Sequence, residues 1–306
     1  MYHPSHRVTD LDETERFFRE VFGRYSTSRA GLVMSGVLTQ PPDYPRDYCT
    51  FTPIADVFFD SIDPSRYVVD GVQCYESITE PYLDGFGWAV EGIEEIYGEL
   101  RRHGIRCTDQ RNVLVATEEL PHAAFTSSPL FWTLADDTGL RYEFYPSASI
   151  GKYDPRTHPT WRLPDVIPED PLGIERSSHH TVLTNDLERA LRLVETVLGG
   201  RVVHQDRNGL LGTASTYVLL AGDILEYARP LDGATRTAEV LGRRLPLDAY
   251  HSITWKVRDL DAVEKHLTSC RIRIQARDDV TLVTDPRDSI GIPFGFTSVL
   301  ACSDDR

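Results

Sequence analysis

The stretch His179-His180-Thr181-Val182-Leu183-Thr184-Asn185-Asp186-Leu187 is a strand-like run that ends on an acid and then turns amphipathic. Asp186 stands where a carboxylate can accept hydrogen bonds from the free N–H groups of a helix start. Behind it Leu187, Ala190, Leu191, Val194, Val197 and Leu198 recur at helical spacing, and Gly199-Gly200 supplies a left-handed stop. Strand-like runs follow at 201–204, 216–220 and 224–227, the last two joined by the turn Ala221-Gly222-Asp223. The local order is β-α-β-β-β.

The same order recurs three more times. One copy opens at His3 with Asp10-Leu11, continues as a helix over 12–22 closed by Gly23, and adds strands at 49–54 and 57–62. A weaker copy opens at Gly85, with Ile93, Ile96, Tyr97 and Leu100 on one helix face, Gly104 as the stop, and strands at 131–134 and 141–145. The last opens His251-Ser-Ile-Thr-Trp-Lys-Val257 with Asp259 as cap and Leu260, Val263 and Leu267 as the stripe. Its strands are expected at 271–275, 281–284 and 293–299. Between the second and third copies, residues 151–176 carry Pro155, Pro159, Pro164, Pro168 and Pro171, a density that breaks helix and sheet. This predicts an N-terminal domain over 1–150, a linker or strap over 151–176 in which Trp161 and Leu163 are worth burying, and a C-terminal domain over 177–306.

Composition narrows the function. The 306 residues, 41% hydrophobic and 26% charged, suit two globular domains. With 32 basic against 47 acidic side chains the net charge is −15, which argues against a nucleic-acid backbone or an anionic membrane as partner. No apolar run approaches a membrane span, and the first residues lack a secretion signal's apolar core, so a cytoplasmic location is expected. Cys49, Cys74, Cys107, Cys270 and Cys302 lie too far apart for a cysteine zinc site or a disulfide framework. GxGxxG after a strand, GxxxxGK[ST] and GxSxG are all absent, which removes support for dinucleotide, P-loop and α/β-hydrolase chemistry. A small molecule is the expected partner. Oligomeric state, a homo-oligomer included, is left open.

Four βαβββ units in two pairs resemble the vicinal oxygen chelate superfamily, which includes glyoxalase-type enzymes, extradiol ring-cleaving dioxygenases, epimerases and drug-sequestering resistance proteins. The resemblance covers nearly the whole chain outside the strap. It implies an α+β fold of two cupped sheets, with ligands for a divalent metal drawn from the first and last strand of each unit. In the C-terminal half this implies His179 (or its neighbour His180), Glu226 and His251, while Gly295 stands where a glutamate is usual. Two histidines and one carboxylate suit Fe(II), and Zn, Mn, Co and Ni fit the same donors. His251 lies nine residues before Leu260 whereas His179 lies eight before Leu187, so the two imidazoles share a face only if a bulge intervenes. In the N-terminal half His3, Asp60 and Glu143 hold the corresponding positions but the second unit opens on Gly85, so this half reads as a degenerate copy.

Tyr250, Tyr217, Lys256 and His180 lie on or beside the strands expected to line the C-terminal cup, where each could orient or protonate a bound oxygen. Strand tyrosines are more often packing. Arg243-Arg244 reads either as an anion contact or as a solvated pair. The implied function is a metal-dependent enzyme acting on a small aromatic or vicinally oxygenated molecule, with ring-cleaving dioxygenase chemistry placed just ahead of a glyoxalase-type lyase or isomerase. Metal-free sequestration of a small molecule is the rival, and Gly295 and the His251 offset speak for it.

Overall fold

A computed structural model describes residues 1, 3–40, 42–123, 128–151 and 154–302. The chain divides into two compact units, one ending at Leu163 and the other built mainly from Pro164 onward. The division falls inside the Pro-rich strap. The fold is α+β, with two eight-stranded sheets that each contain a pair of βαβββ modules.

In the N-terminal unit the sheet order is Thr27–Ser28, Cys49–Ile54, Val57–Ile62, His3–Arg7, Tyr82–Val90, Arg141–Pro146, Phe131–Thr133, Cys107–Thr108. In the C-terminal unit it is Arg201–Asn208, Thr213–Leu220, Asp223–Pro230, Ile174–Leu183, Ala249–Val257, Gly295–Thr297, Thr281–Thr284, Ile274–Arg277. Each module's first strand runs parallel to its last, and the two first strands pair antiparallel at the sheet centre. This register brings four strand positions together at the middle of each cup.

The helix signals act as their chemistry dictates. The carboxylates of Asp10, Asp186 and Asp259 accept from the backbone N–H of Glu13, of Arg189, and of Asp261 and Ala262. Gly23, Gly104 and Gly199 take φ of 65°, 70° and 72° at the helix ends. Leu260, Val263 and Leu267 are buried from helix Leu260–Ser269, each worth roughly 1.5–3 kcal/mol relative to exposure.

Some elements differ from expectation. Strand Ile174–Leu183 starts inside the expected strap, because Ile174 pairs with Val257 and is buried. The third helix is α-helical only over Leu187–Leu191 and continues as a π-turn over Arg192–Val197. The strand expected at 271–275 forms at Ile274–Arg277, because Arg271 takes φ of 62° just after the preceding helix.

Candidate functional site

In the C-terminal cup Thr181 stands opposite Glu226 on one side and Ser252 on the other. Glu226 is fully buried and accepts from Thr181 Oγ1 (2.5 Å), Tyr217 OH (3.0 Å) and Asn208 Nδ2 (3.4 Å), with His179 Nε2 at 3.4 Å from its Oε2. Burial pushes the Glu226 carboxyl up. The charge of His179 and hydrogen bonds from Ser215, Thr181 and Tyr217 outweigh this and hold it below the ordinary glutamate range. The Tyr217 ring also meets the His179 ring edge-on, at 5.7 Å between centroids. His179, Glu226 and Tyr217 are therefore brought together.

The other expected residues go elsewhere. The residue opposite His179 is Thr254, not His251. A register shift pairs Thr181 with Ser252 but Val182 with Tyr250, so His251 is the extra residue of a bulge. It still feels the Glu226 charge, but burial pushes its imidazole down to about 4. His180 and Tyr250 point to the opposite, helix-packed face, where His180 Nδ1 lies 2.6 Å from Tyr250 OH and both are buried. Neither lines the cup. Lys256 is held by Glu175 (3.1 Å) and by the Val257 carbonyl (3.0 Å), away from Glu226. Arg243 pairs with Glu239 at the surface.

Gly295 pairs with Thr254 in register, and a Cβ added there would overlap the threonine hydroxyl. The four central positions of this cup thus hold His179, Glu226, Thr254 and Gly295.

In the N-terminal cup His3, Asp60 and Glu143 stand at the counterparts of His179, Glu226 and Gly295, with Gly87 opposite His3 and Gly85 at the second unit's own first-strand place. Ser5 pairs with Asp60, His3 with Gly87, and Glu143 with Gly87. His3 Nε2 lies 3.6 Å from Glu143 Oε2 and 3.9 Å from Asp60 Oδ2, and its ring fills the space a side chain at Gly87 would need. Burial pushes the Glu143 carboxyl up to about 8, with the Asp60 charge adding to it, while Tyr145, Arg7 and Arg141 only partly oppose the rise. Burial likewise raises Asp60 to about 6, against the pull of Arg7 and Arg29. The same desolvation lowers His3 to about 3, so its ring is neutral.

Asp60 and Glu143 also line a cavity of about 360 Å³, within the range of small-molecule sites. Its walls include Tyr44, Tyr48, Tyr67, Tyr75 and Tyr145. The Arg29 guanidinium lies 5.3 Å from the ring centres of both Tyr44 and Tyr48, and Gln110 donates to Tyr44 OH at 3.0 Å. The sequence had marked none of these wall residues. Apart from Tyr145 on strand Arg141–Pro146, they come from connecting segments with no periodic signal, and a cluster of tyrosines at scattered positions is visible only once folded.

The resemblance implies a divalent metal. Among the described residues, no group of three or more His, Cys, Asp or Glu side chains is arranged to hold one. In the C-terminal cup Gly295, paired with Thr254, stands at the counterpart of Glu226, and Ser252, two residues before Thr254 as His179 is two before Thr181, stands at the counterpart of His179. His179, Glu226 and His251, the set expected for Fe(II), do not form such a group among the described residues.

No protein-family model matches the chain, and no curated protein matches it. Solved structures similar to it include methylmalonyl-CoA epimerase from Mycobacterium tuberculosis, at 21% identity over 41% of this chain and 89% of that one, with a TM-score of 0.37. A Streptomyces coelicolor methylmalonyl-CoA epimerase in complex with 2-nitronate-propionyl-CoA is 16% identical over 42% of this chain and 97% of that one, TM-score 0.37. A hypothetical protein from Bacillus halodurans is 13% identical over 40% and 92%, TM-score 0.36. Each resembles about two-fifths of the chain.

Proposed function

We propose that the chain is a glyoxalase-type lyase or isomerase that moves a proton on a small oxygenated substrate, and that the N-terminal cup does this work. One observation carries the reading: Asp60 and Glu143 line the same cavity with their carboxyls pushed to about 6 and about 8. Near neutral pH Asp60 is then a carboxylate and Glu143 a carboxylic acid, which supplies base and acid together. Asp60 takes a proton from the carbon beside a carbonyl while Glu143 gives its proton to the carbonyl oxygen, forming an enol. Asp60 then gives its proton to the former carbonyl carbon while the hydroxyl on the first carbon loses its proton to Glu143, so the carbonyl moves by one carbon and both groups are restored. His3, neutral and within 3.9 Å of both carboxylates, sets their separation. The ring-cleaving reading rested on a three-ligand iron centre in the other cup and is not carried forward.

The test is hydrogen exchange in D2O over a panel of hydroxyketones, 2-oxo acids and the hemithioacetal of methylglyoxal with glutathione, read by NMR. Loss of C–H signal that Glu143→Gln and Asp60→Asn each slow about 100-fold or more supports the reading. Unchanged rates in both variants, or no exchange across the panel, defeats it. Sequestration is the second reading, favoured by Gly85, Ser252 and Gly295 standing where metal-binding side chains are expected. It predicts tight binding of a panel member with no exchange.

A further inference from the structure

A shallow groove of about 520 Å³ in the C-terminal unit is lined by Arg236, Arg271, Arg273 and Arg287, with Asp285 and Gln275. In a chain of net charge −15 this is a local reversal of sign. Two acids serve the four guanidinium groups. Asp288 holds Arg273 through Nε (2.5 Å) and Nη2 (2.8 Å). Asp285 is gripped by Arg287, and Arg236 reaches the same carboxylate only at 3.8 Å. Arg271 has no ion-pair partner among the described residues. The groove is left with two positive charges in excess.

Arg271 is also in an unusual backbone state. It follows helix Leu260–Ser269 and its cap Cys270 at φ of 62°. The other three repeats place Gly23, Gly104 and Gly199 at their helix ends, with φ between 65° and 72°. A non-glycine residue there costs about 1 kcal/mol. The helix dipole offsets part of that cost by favouring a cation at the helix C-terminus. It does not account for three further arginines converging on the same groove. Three copies of the repeat show what the fold needs at this position, and the fourth keeps a charged side chain instead.

We propose that this groove binds a small molecule carrying adjacent phosphate groups, with Arg271 and Arg236 as its main contacts. Guanidinium groups match phosphate oxygens in pairs, and a diphosphate supplies the charge the two acids leave uncompensated. Calorimetry at fixed ionic strength with pyrophosphate, inorganic phosphate, sulfate and a nucleoside diphosphate is the test, on the wild type, Arg271→Gly and Arg236→Gln. Pyrophosphate should bind at least tenfold more tightly than sulfate, and each substitution should weaken it about tenfold. Arg271→Gly should meanwhile leave the ligand-free unfolding midpoint unchanged or raised, since glycine suits that backbone. Tighter binding of the nucleoside diphosphate than of pyrophosphate would identify a phosphorylated metabolite as the source, and the reverse a free phosphate species. Equal binding of sulfate and pyrophosphate, or wild-type affinity in both variants, would overturn the proposal and leave an ordinary solvated arginine cluster.

Discussion

Asp60 in the N-terminal cup and Glu226 in the C-terminal cup hold the same register position, opposite Ser5 and Thr181. Both are buried in a strand at the centre of an eight-stranded sheet. Their surroundings have diverged. Glu226 is closed over by three hydrogen-bond donors and a histidine, so its charge is satisfied in place. Asp60 opens onto a cavity with a second acid across it, and its Oδ1 has no hydrogen-bond partner among the described residues. The first arrangement stabilises a fold. The second leaves an acid without a full set of partners beside a cavity, and the proposed function rests on that difference.

The comparison breaks most sharply at Glu226. Glu226→Ala removes a fully buried charge and strands Thr181, Tyr217 and His179, so it should cost about 3–5 kcal/mol in urea unfolding. Exchange per folded molecule in the N-terminal cup should stay within twofold of wild type. A variant of unchanged stability, or one that stays folded but inactive, would reverse the roles given to the two cups.

A smaller effect follows from pH. Burial lifts Glu143 from an ordinary 4.5 to about 8, so the folded chain holds this proton longer than the unfolded one. The contribution is fully present below about pH 4.5 and is lost as pH rises through about 8, a change on the order of a few kcal/mol. Glu143→Gln should flatten that slope between about pH 4.5 and 8 and be the more stable protein at pH 9. Parallel pH profiles for variant and wild type would show that Glu143 is not the strained acid.

The smallest effect compares two glycines. Gly87→Ala must displace the His3 ring and Gly295→Ala the Thr254 hydroxyl, each costing about 1–3 kcal/mol. Only Gly87→Ala should also slow exchange, because His3 stands between the two acids. Equal loss of exchange in both variants would contradict the assignment of chemistry to one cup.

Much of the architecture was legible in the chain. Aspartate caps, apolar stripes at helical spacing and terminal glycines are local signals, and four copies in order reinforced one another. Strands 49–54, 57–62 and 281–284 fell where alternation and turns put them. The site was only partly legible. His179 with Glu226, and His3 with Asp60 and Glu143, were readable because parallel pairing of first and last strands fixes their meeting. The displacement of His251 was not, since one inserted residue in a strand leaves no mark in composition, and the nine-residue offset signalled a bulge without showing where it lay. Which cup stays open was also hidden. That depends on Arg29, Tyr44, Tyr48 and Gln110 folding over from segments without a pattern of their own.

Thr254 and Gly295 are sterically coupled positions in the C-terminal cup. While the threonine hydroxyl occupies the space above the glycine, no single substitution at 295 can bring an acid back without a collision. A second acid facing Glu226 from position 295 therefore calls for a smaller residue at 254 in the same step.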